Sequence, residues 1–595
     1  MSEITTGAQP LEAFQKWTEL AGRSQQMMME FWSKEQLPSK HQGTALPSLD
    51  PLGAMATWQL AMTAALADPQ KLLALQGRYM TDAMALWQSF LVPGSKSSPV
   101  ADSRDKRFAG DAWKDAPAFD FLRQSYLLAS NYMLEAGKGL DGLAPHDKAR
   151  AQFFIKQYVD AISPSNFALT NPEVLQKTAE TGGANLLKGL EHMLSDLAAG
   201  RMKMTDENAF EVGRNVAITP GKVVFENRLF QLIQYAPTTP SVHETPLLIF
   251  PPWINKFYIL DLTAEKSFIR WAVEQGLTVF VTSWKSADAS LADVVLDNYV
   301  GEGMLTALDA VLAICGTPSA HTIGYCVAGT TLAAALAVLA ARDEAAKVSS
   351  ATFFTAQVDM SECGELGVFI DDATLGTLDK LTAEQPWLDG RNMAMTFNLL
   401  RSNDLIWSYV VNNYMIGKDY LPFDLLYWNS DATNVPALWH RSYLTDIYRD
   451  NLLVVPGGIT VLGVPIDLST VATPAYIQGG KEDHIAPARS AYKLTSHFTG
   501  EKRFVLAGSG HIAGVVNPPS LKKYQYWTSD TLPESFDAFV AGATETKGSW
   551  WPDWIAWLAP RSGKQVPARV PGKGKAKGKF TAIEDAPGRY VKERI

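Results

Sequence analysis

A cysteine at the apex of a strand-to-helix turn is the first place where chemistry is legible in this chain. The ten residues from His321 to Thr330, HTIGYCVAGT, carry an apolar strand into a turn of small residues, and the apolar run from Thr331 to Ala341 leaves it as a helix. Cys326 takes the apex. A chain that reverses this sharply forces its apical residue into strained backbone and crowds the positions two before and two after it. Gly324 and Ala328 meet that demand for small side chains, although Ala328 stands where such turns usually carry a second glycine. The following helix aims its first amides at the apex, which favours a thiolate and offers the Val327 amide as an oxyanion donor. The bland alternative is a small buried cysteine in a tight turn.

A cysteine nucleophile needs a base, and the base needs a group that orients it. On folds built around such a turn, the α/β-hydrolases, acid and histidine follow the nucleophile on loops after later strands. Two late strands supply them. Pro474-Ala-Tyr-Ile-Gln runs into Gly-Gly-Lys-Glu-Asp483-His484, and Arg503-Phe-Val-Leu-Ala runs into Gly508-Ser-Gly-His511. Asp483 and His511 therefore complete the order nucleophile, acid, base. His484 is the competing base, although an adjacent Asp–His pair is also an ordinary turn, and Asp483 could equally cap the helix near Pro487 to Ser496. The second oxyanion donor belongs on the loop after the strand Pro246 to Phe250, where the backbone amide near Ile254 is the expected group.

The elements that must position these residues begin near residue 205. Lys222 to Tyr235 has the apolar and β-branched content of paired strands, and Pro246 to Phe250, Leu277 to Trp284, the strand before Cys326, and Ala351 to Thr355 alternate with helical stretches. Such alternation implies a mostly parallel, doubly wound sheet whose ligands bind outside the carboxyl ends of the strands. Between about 358 and 450 the alternation gives way to helices rich in Trp, Tyr, Leu and Met, read as an inserted cap. Trp407, Tyr427 and Trp428 in that stretch would exclude water, or would simply fill the core. Residues 1–204 read as a helical N-terminal domain and 205–595 as the catalytic domain. Amphipathic helices are expected around Leu11 to Leu20 and Met55 to Leu91, a linker at Val92 to Arg104, and further helices from Phe119 to about Ala199 broken at Ile162-Ser-Pro and Thr170-Asn-Pro. The tail from about Val570, with its GKGKAKGK run, reads as flexible and basic.

Composition narrows the classes. The chain has 595 residues, 47% of them hydrophobic, and a net charge of -9, so no global field draws it to nucleic acid or to an anionic membrane. Three cysteines, Cys315, Cys326 and Cys363, cannot all pair and lack metal spacing, which favours a reducing compartment. No signal-peptide pattern opens the sequence and no stretch reads as a membrane span. The expectation is a soluble cytoplasmic protein.

The segments PPWINKFYILDL, GYCVAGT, FDLLYWNSDATNVP, KEDHIAP, GSGHIAGVVNPP and GSWWPDW together resemble the class I polyhydroxyalkanoate synthases, from about Arg107 to the C-terminus. The resemblance implies an α/β-hydrolase fold and an acyltransferase that polymerises a short-chain (R)-3-hydroxyacyl-coenzyme A, such as 3-hydroxybutyryl, with release of coenzyme A. It implies Cys326, Asp483 and His511 as the catalytic group, with Asp483 either orienting His511 or activating the attacking hydroxyl. Arg401 resembles a residue that meets coenzyme A phosphates, and Tyr427 and Trp428 join it as expected substrate contacts. No cofactor is implied beyond the coenzyme A thioester, which is substrate, and no metal. Partners implied are the growing polyester, a second copy in a homodimer, the surface of cytoplasmic polyester granules and phasin-like proteins. A thioesterase or depolymerase of the same fold and a non-catalytic granule protein are the rival readings.

Overall fold

The computed structural model describes residues 19, 20, 22–29, 53–91, 100, 105–574 and 578–595. All of the expected linker except Val100, and most of the helix at Leu11 to Leu20, lie outside the described residues. The chain forms two compact units, residues 1–204 with 397–421, and residues 205–396 with 422–595.

The first unit is helical. Its main helices are α1 (Ala54–Ala67), α2 (Pro69–Leu91), α3 (Pro117–Lys138), α4 (Pro145–Ala161), α5 (Pro172–Thr181) and α6 (Ala184–Ala199). Proline opens four of them, where the missing N–H costs nothing and the fixed φ suits the first turn. In α5 the Asn171 side chain accepts from the amides of Glu173 and Val174, and Gly182 ends the helix at φ 59°. These are the caps that such helices require. The expected single cap over 358–450 is corrected here. Residues 397–421 belong to the helical unit, where the Asn185 amide donates to the Met415 carbonyl at 2.8 Å and the Tyr414 hydroxyl donates to Asp196 at 2.7 Å. Residues 358–396 and 422–450 stay with the sheet.

The second unit is built on one sheet of eleven strands: β1 (Gly221–Glu226), β2 (Phe230–Tyr235), β3 (Leu247–Phe250), β4 (Val279–Trp284), β5 (Ala320–Tyr325), β6 (Val348–Phe354), β7 (Ala475–Gly480), β8 (Lys502–Ala507), β9 (Gln525–Thr528), β10 (Thr544–Lys547) and β11 (Glu584–Asp585). Their order is β10-β9-β8-β7-β6-β5-β3-β4-β2-β1-β11. From β4 to β8 every pairing is parallel, and the flanking pairings are antiparallel. This is the α/β-hydrolase arrangement, with β3 and β4 exchanged relative to chain order.

Side chains alternate between two cores, one on each face. Leu248, Phe250 and Phe280 pack with α9 (Val327–Ala341), whereas Leu247, Ile249, Val279 and Val281 face α7 (Phe268–Glu274) and α11 (Trp551–Leu558). Burying each such side chain contributes about 1.5–3 kcal/mol. Between these helices in sequence come α8 (Thr306–Cys315) and α10 (Ala488–His497).

The tail departs from expectation. Glu584 and Asp585 pair antiparallel with Val223 and Lys222, Phe580 and Val591 are buried, and the Lys256 ammonium donates to the Glu593 carbonyl. A sequence rich in glycine and lysine hid an edge strand that covers β1, a common way to protect a sheet edge.

Candidate active site

Cys326 lies between β5 and α9 with φ 54° and ψ -126°. That backbone geometry costs a residue with a side chain roughly 1–3 kcal/mol, so the surroundings must impose it. They do. The Cys326 amide donates to the Phe354 carbonyl at 2.9 Å, and its carbonyl accepts from Gly329 at 2.8 Å and Thr330 at 3.2 Å, which starts the helix. Val327 opens α9, so its amide has no intrahelical acceptor.

The tight spot is shifted by one residue from the expected place. A Cβ on Gly324 would come within 2.6 Å of the Gly329 Cα, and a Cβ on Gly329 within 2.4 Å of the Ala356 Cβ. Ala328 is fully buried with its methyl accommodated. The crossing that demands two glycines is therefore 324 over 329, and alanine at 328 is no defect.

Parallel pairing of β7 with β8 brings the two late loops together. Gly480 stands opposite Ala507, the Lys481 amide donates to the Ala507 carbonyl at 2.8 Å, and the Glu482 amide donates to Ser509 at 2.9 Å. Across this seam Asp483 Oδ2 meets His511 Nδ1 at 2.8 Å. Oδ1 of the same carboxylate accepts from the amides of Ile485 and Ala486, both at 2.8 Å. The carboxylate is thus pinned on both oxygens, and both residues are buried. His511 is also tied to the strand that delivers Cys326, because the Tyr325 hydroxyl donates to its carbonyl at 3.0 Å.

Burial works against a charged imidazole at His511, yet the Asp483 carboxylate and the Cys326 sulfur, both within its hydrogen-bonding reach, outweigh it and raise its pKa from 6.5 to about 10. Carboxylate and sulfur thus both favour the charged form of the ring. The structure therefore brings Cys326, Asp483 and His511 together; His484 follows Asp483 in sequence, but the imidazole bonded to that carboxylate is that of His511.

Ile254 sits on the loop after β3, half-buried, and the register Phe250 to Gly324 sets the start of this loop beside the end of β5. That loop is clamped by the FDLLYWNSDATNVP segment. Asn255 bridges to Ala432, the Thr433 hydroxyl donates to the Trp253 carbonyl at 2.7 Å, and the Trp428 indole donates to the Lys256 carbonyl at 2.7 Å. Lys256 Nζ lies 2.7 Å from Asp431 Oδ1 with both side chains only 3% exposed, and the Tyr258 hydroxyl donates to Oδ2 at 2.8 Å. Tyr427 and Trp428, expected to meet substrate, are instead buried in the fold. Tyr427 packs on Phe210 and under the Arg594 guanidinium, to which its hydroxyl is bonded.

Arg401 and Trp407 lie in the helical unit, where Arg401 is half-exposed and ion-paired with Asp404. Two residues that sequence reasoning missed stand near the sulfur. Tyr443 and Tyr448 are raised above the ordinary tyrosine pKa, chiefly by burial, with the neighbourhood of Cys326 adding to both and that of Tyr443 adding to Tyr448. They are five residues apart on a π-helical turn, Tyr443–Arg449, which brings their rings to 5.4 Å. On an ordinary α-helix that spacing would point them apart, so no pattern flagged them.

Comparison with known proteins agrees with this architecture. Residues 104–272 match the model for the poly-beta-hydroxybutyrate polymerase (PhaC) N-terminus, and residues 260–518 match that of the alpha/beta hydrolase fold. The chain is 45% identical to the poly(3-hydroxyalkanoate) polymerase subunit PhaC of Cupriavidus necator, covering 95% of this chain and 94% of that one. It is 45% identical to the poly(3-hydroxyalkanoate) polymerase of Methylorubrum extorquens over 93% of each chain, and 37% identical to polymerase 2 of Ectopseudomonas oleovorans over 82% of this chain and 87% of that one. With a strained cysteine, a buried Asp–His pair beside it and relatives matched over nearly their whole length, this chain belongs to the poly(3-hydroxyalkanoate) polymerase family of α/β-hydrolase-fold acyltransferases.

Proposed function

We propose that the protein polymerises a short-chain (R)-3-hydroxyacyl-coenzyme A, such as 3-hydroxybutyryl-coenzyme A, into polyester through an acyl-Cys326 intermediate. The observation that carries this reading is the sulfur held on a strained turn within reach of an imidazolium that Asp483 orients. The short acyl length rests on the class I resemblance.

In the first step the Cys326 sulfur attacks the thioester carbonyl while the oxyanion is met by the Val327 amide and an amide of the loop at Ile254. The bond to coenzyme A breaks, and its departing sulfur takes the proton from His511. One thioester replaces another, so the acyl group stays activated. In the second step the hydroxyl of a monomer or chain end gives its proton to His511 as its oxygen attacks the acyl carbon. The Cys326 bond breaks, an ester forms, and sulfur and imidazolium return to their starting forms. Asp483, with both oxygens already engaged, acts as the orienting group rather than as the activator of the hydroxyl.

A homodimer acting at a polyester granule is the accompanying proposal. Its support is a stripe on α2, where Leu73, Met80, Met84, Trp87 and Leu91 are more than half exposed at helical spacing.

The test is mass spectrometry of the acid-quenched enzyme with 3-hydroxybutyryl-coenzyme A, alongside polymer yield. The expected result is an acyl adduct on Cys326 and, for Cys326→Ala, neither adduct nor polymer. Accumulation of free hydroxy acid without polymer would assign the protein to the thioesterases, and undiminished polymer from Cys326→Ala in a host without another synthase would leave it a granule-coating protein.

A further inference from the structure

The segment GSWWPDW places two indoles against the loop that carries His511. Trp550 and Trp551 stand at the start of α11, and both are fully buried. The Trp550 indole donates to the Gly514 carbonyl at 2.7 Å, and the Trp551 indole donates to the Val515 carbonyl at 2.9 Å. An indole N–H can only donate, and its rigid ring fixes how far the bonded carbonyl stands from the helix.

The loop depends on such ties from outside. Within it the Gly514 amide donates to the Gly510 carbonyl and the Val516 amide to the Ile512 carbonyl, both at 2.8 Å, which closes a turn but anchors it to no other element. Outside donors reach four of its carbonyls: the Glu482 amide at Ser509, the Tyr325 hydroxyl at His511, and the two indoles at Gly514 and Val515. The first two hold the loop up to the imidazole, and the indoles hold it beyond.

Trp550 also reaches the strand beside Cys326. Its ring meets that of Phe354 edge-on at 5.2 Å, and the Phe354 carbonyl accepts the Cys326 amide at 2.9 Å. One rigid side chain thus spans from the His511 loop to the residue bonded to Cys326. A misplacement of about 1 Å between reacting groups costs about 10²-fold in rate, so this span bears on the reaction. Resting on the polymerase reading, in which His511 serves Cys326, we infer that Trp550 is a positioning residue that sets the separation of the imidazole from the sulfur, with Trp551 fixing the adjoining carbonyl.

Trp554 supplies the contrast. It lies one turn further along α11, is equally buried, and donates to the Thr352 hydroxyl at 3.1 Å, two residues back along β6 from Phe354 and with no bond to the loop. Full-length enzyme is made with 3-benzothienylalanine, which keeps the ring and replaces its N–H by sulfur, at position 550 or at position 554. With (R)-3-hydroxybutyryl-coenzyme A, loss of the Trp550 N–H is expected to slow single-turnover acylation of Cys326 by roughly tenfold or more with half-saturation within about twofold, while loss of the Trp554 N–H leaves the rate within about twofold. Iodoacetamide followed by peptide mapping reads the same geometry without substrate. Alkylation of Cys326 at neutral pH is expected to slow by at least about threefold in the first enzyme and to stay unchanged in the second. Equal acylation by the two enzymes, or unchanged alkylation in the first, overturns the positioning assignment while leaving the polymerase standing. Absence of any acyl-Cys326 in the unsubstituted enzyme removes both.

Discussion

At the level of single residues the site depends on where one proton rests. His511 has its pKa raised from 6.5 to about 10 despite burial, because Asp483 and Cys326 favour its charged form. A group whose pKa rises on folding stabilises the fold fully below its unfolded value and loses that contribution as pH climbs through the folded one. The stability gap between the unsubstituted protein and His511→Gln is therefore expected to be largest below pH 6.5 and to shrink toward pH 10, as read by denaturant titration at several pH values. A gap that widens with pH would contradict the assignment. In activity the same substitution should slow Cys326 acylation by about 10²–10⁴-fold, measured by quenched single turnover. The glycines of the turn give a second contrast. Gly329→Ala must push a methyl to 2.4 Å from Ala356, so it should cost about 1–3 kcal/mol and most of the activity, whereas Ala328→Gly should leave acylation nearly unchanged. The need for small residues around Cys326 was legible in the sequence, but which glycine crosses which backbone was not, because that depends on how the first helical turn lies against β5.

At the level of elements, the segment after residue 422 acts as a clamp. Its Trp428, Asp431, Ala432 and Thr433 hold the loop that carries Ile254 through five contacts to residues 253–258. Burial pushes the Lys256 pKa down against the opposing pull of Asp431, so removing either partner leaves the other charged and dry. Asp431→Ala is expected to cost about 3–5 kcal/mol in chemical denaturation, and the paired change Lys256→Met with Asp431→Leu to recover most of that loss. A loss below about 1 kcal/mol would place the pair among weak surface bridges. On the proposed mechanism the loop would then misplace the amide near Ile254, so the single variant should also lose acylation rate. PPWINK and FDLLYWNSDATNVP were both visible as motifs, yet their meeting was hidden because more than 160 residues separate them in the chain.

At the level of the molecule, the candidate catalytic group and the exposed apolar stripe fall to different units. The sheet unit holds Cys326, Asp483 and His511, while the helical unit carries the exposed stripe on α2. Replacing Leu73, Met80 and Met84 together with Glu should reduce co-sedimentation with polyester granules by roughly tenfold, with coenzyme A release by the dissolved enzyme retained. Loss of both in a well-folded variant would tie the stripe to catalysis instead.

The sequence by itself determined the alternation of buried strands and helices, the small-residue turn at Cys326 and the chain order of the candidates Cys326, Asp483 and His511, because local periodicity, backbone sterics and the direction of a parallel sheet write these into neighbouring residues. Only the tertiary structure decided that residues 397–421 join the N-terminal helices, that the lysine-rich tail returns as an edge strand, and that Tyr443 and Tyr448 stand near the sulfur. Those outcomes come from contacts between distant segments and from a π-turn that no short-range pattern encodes.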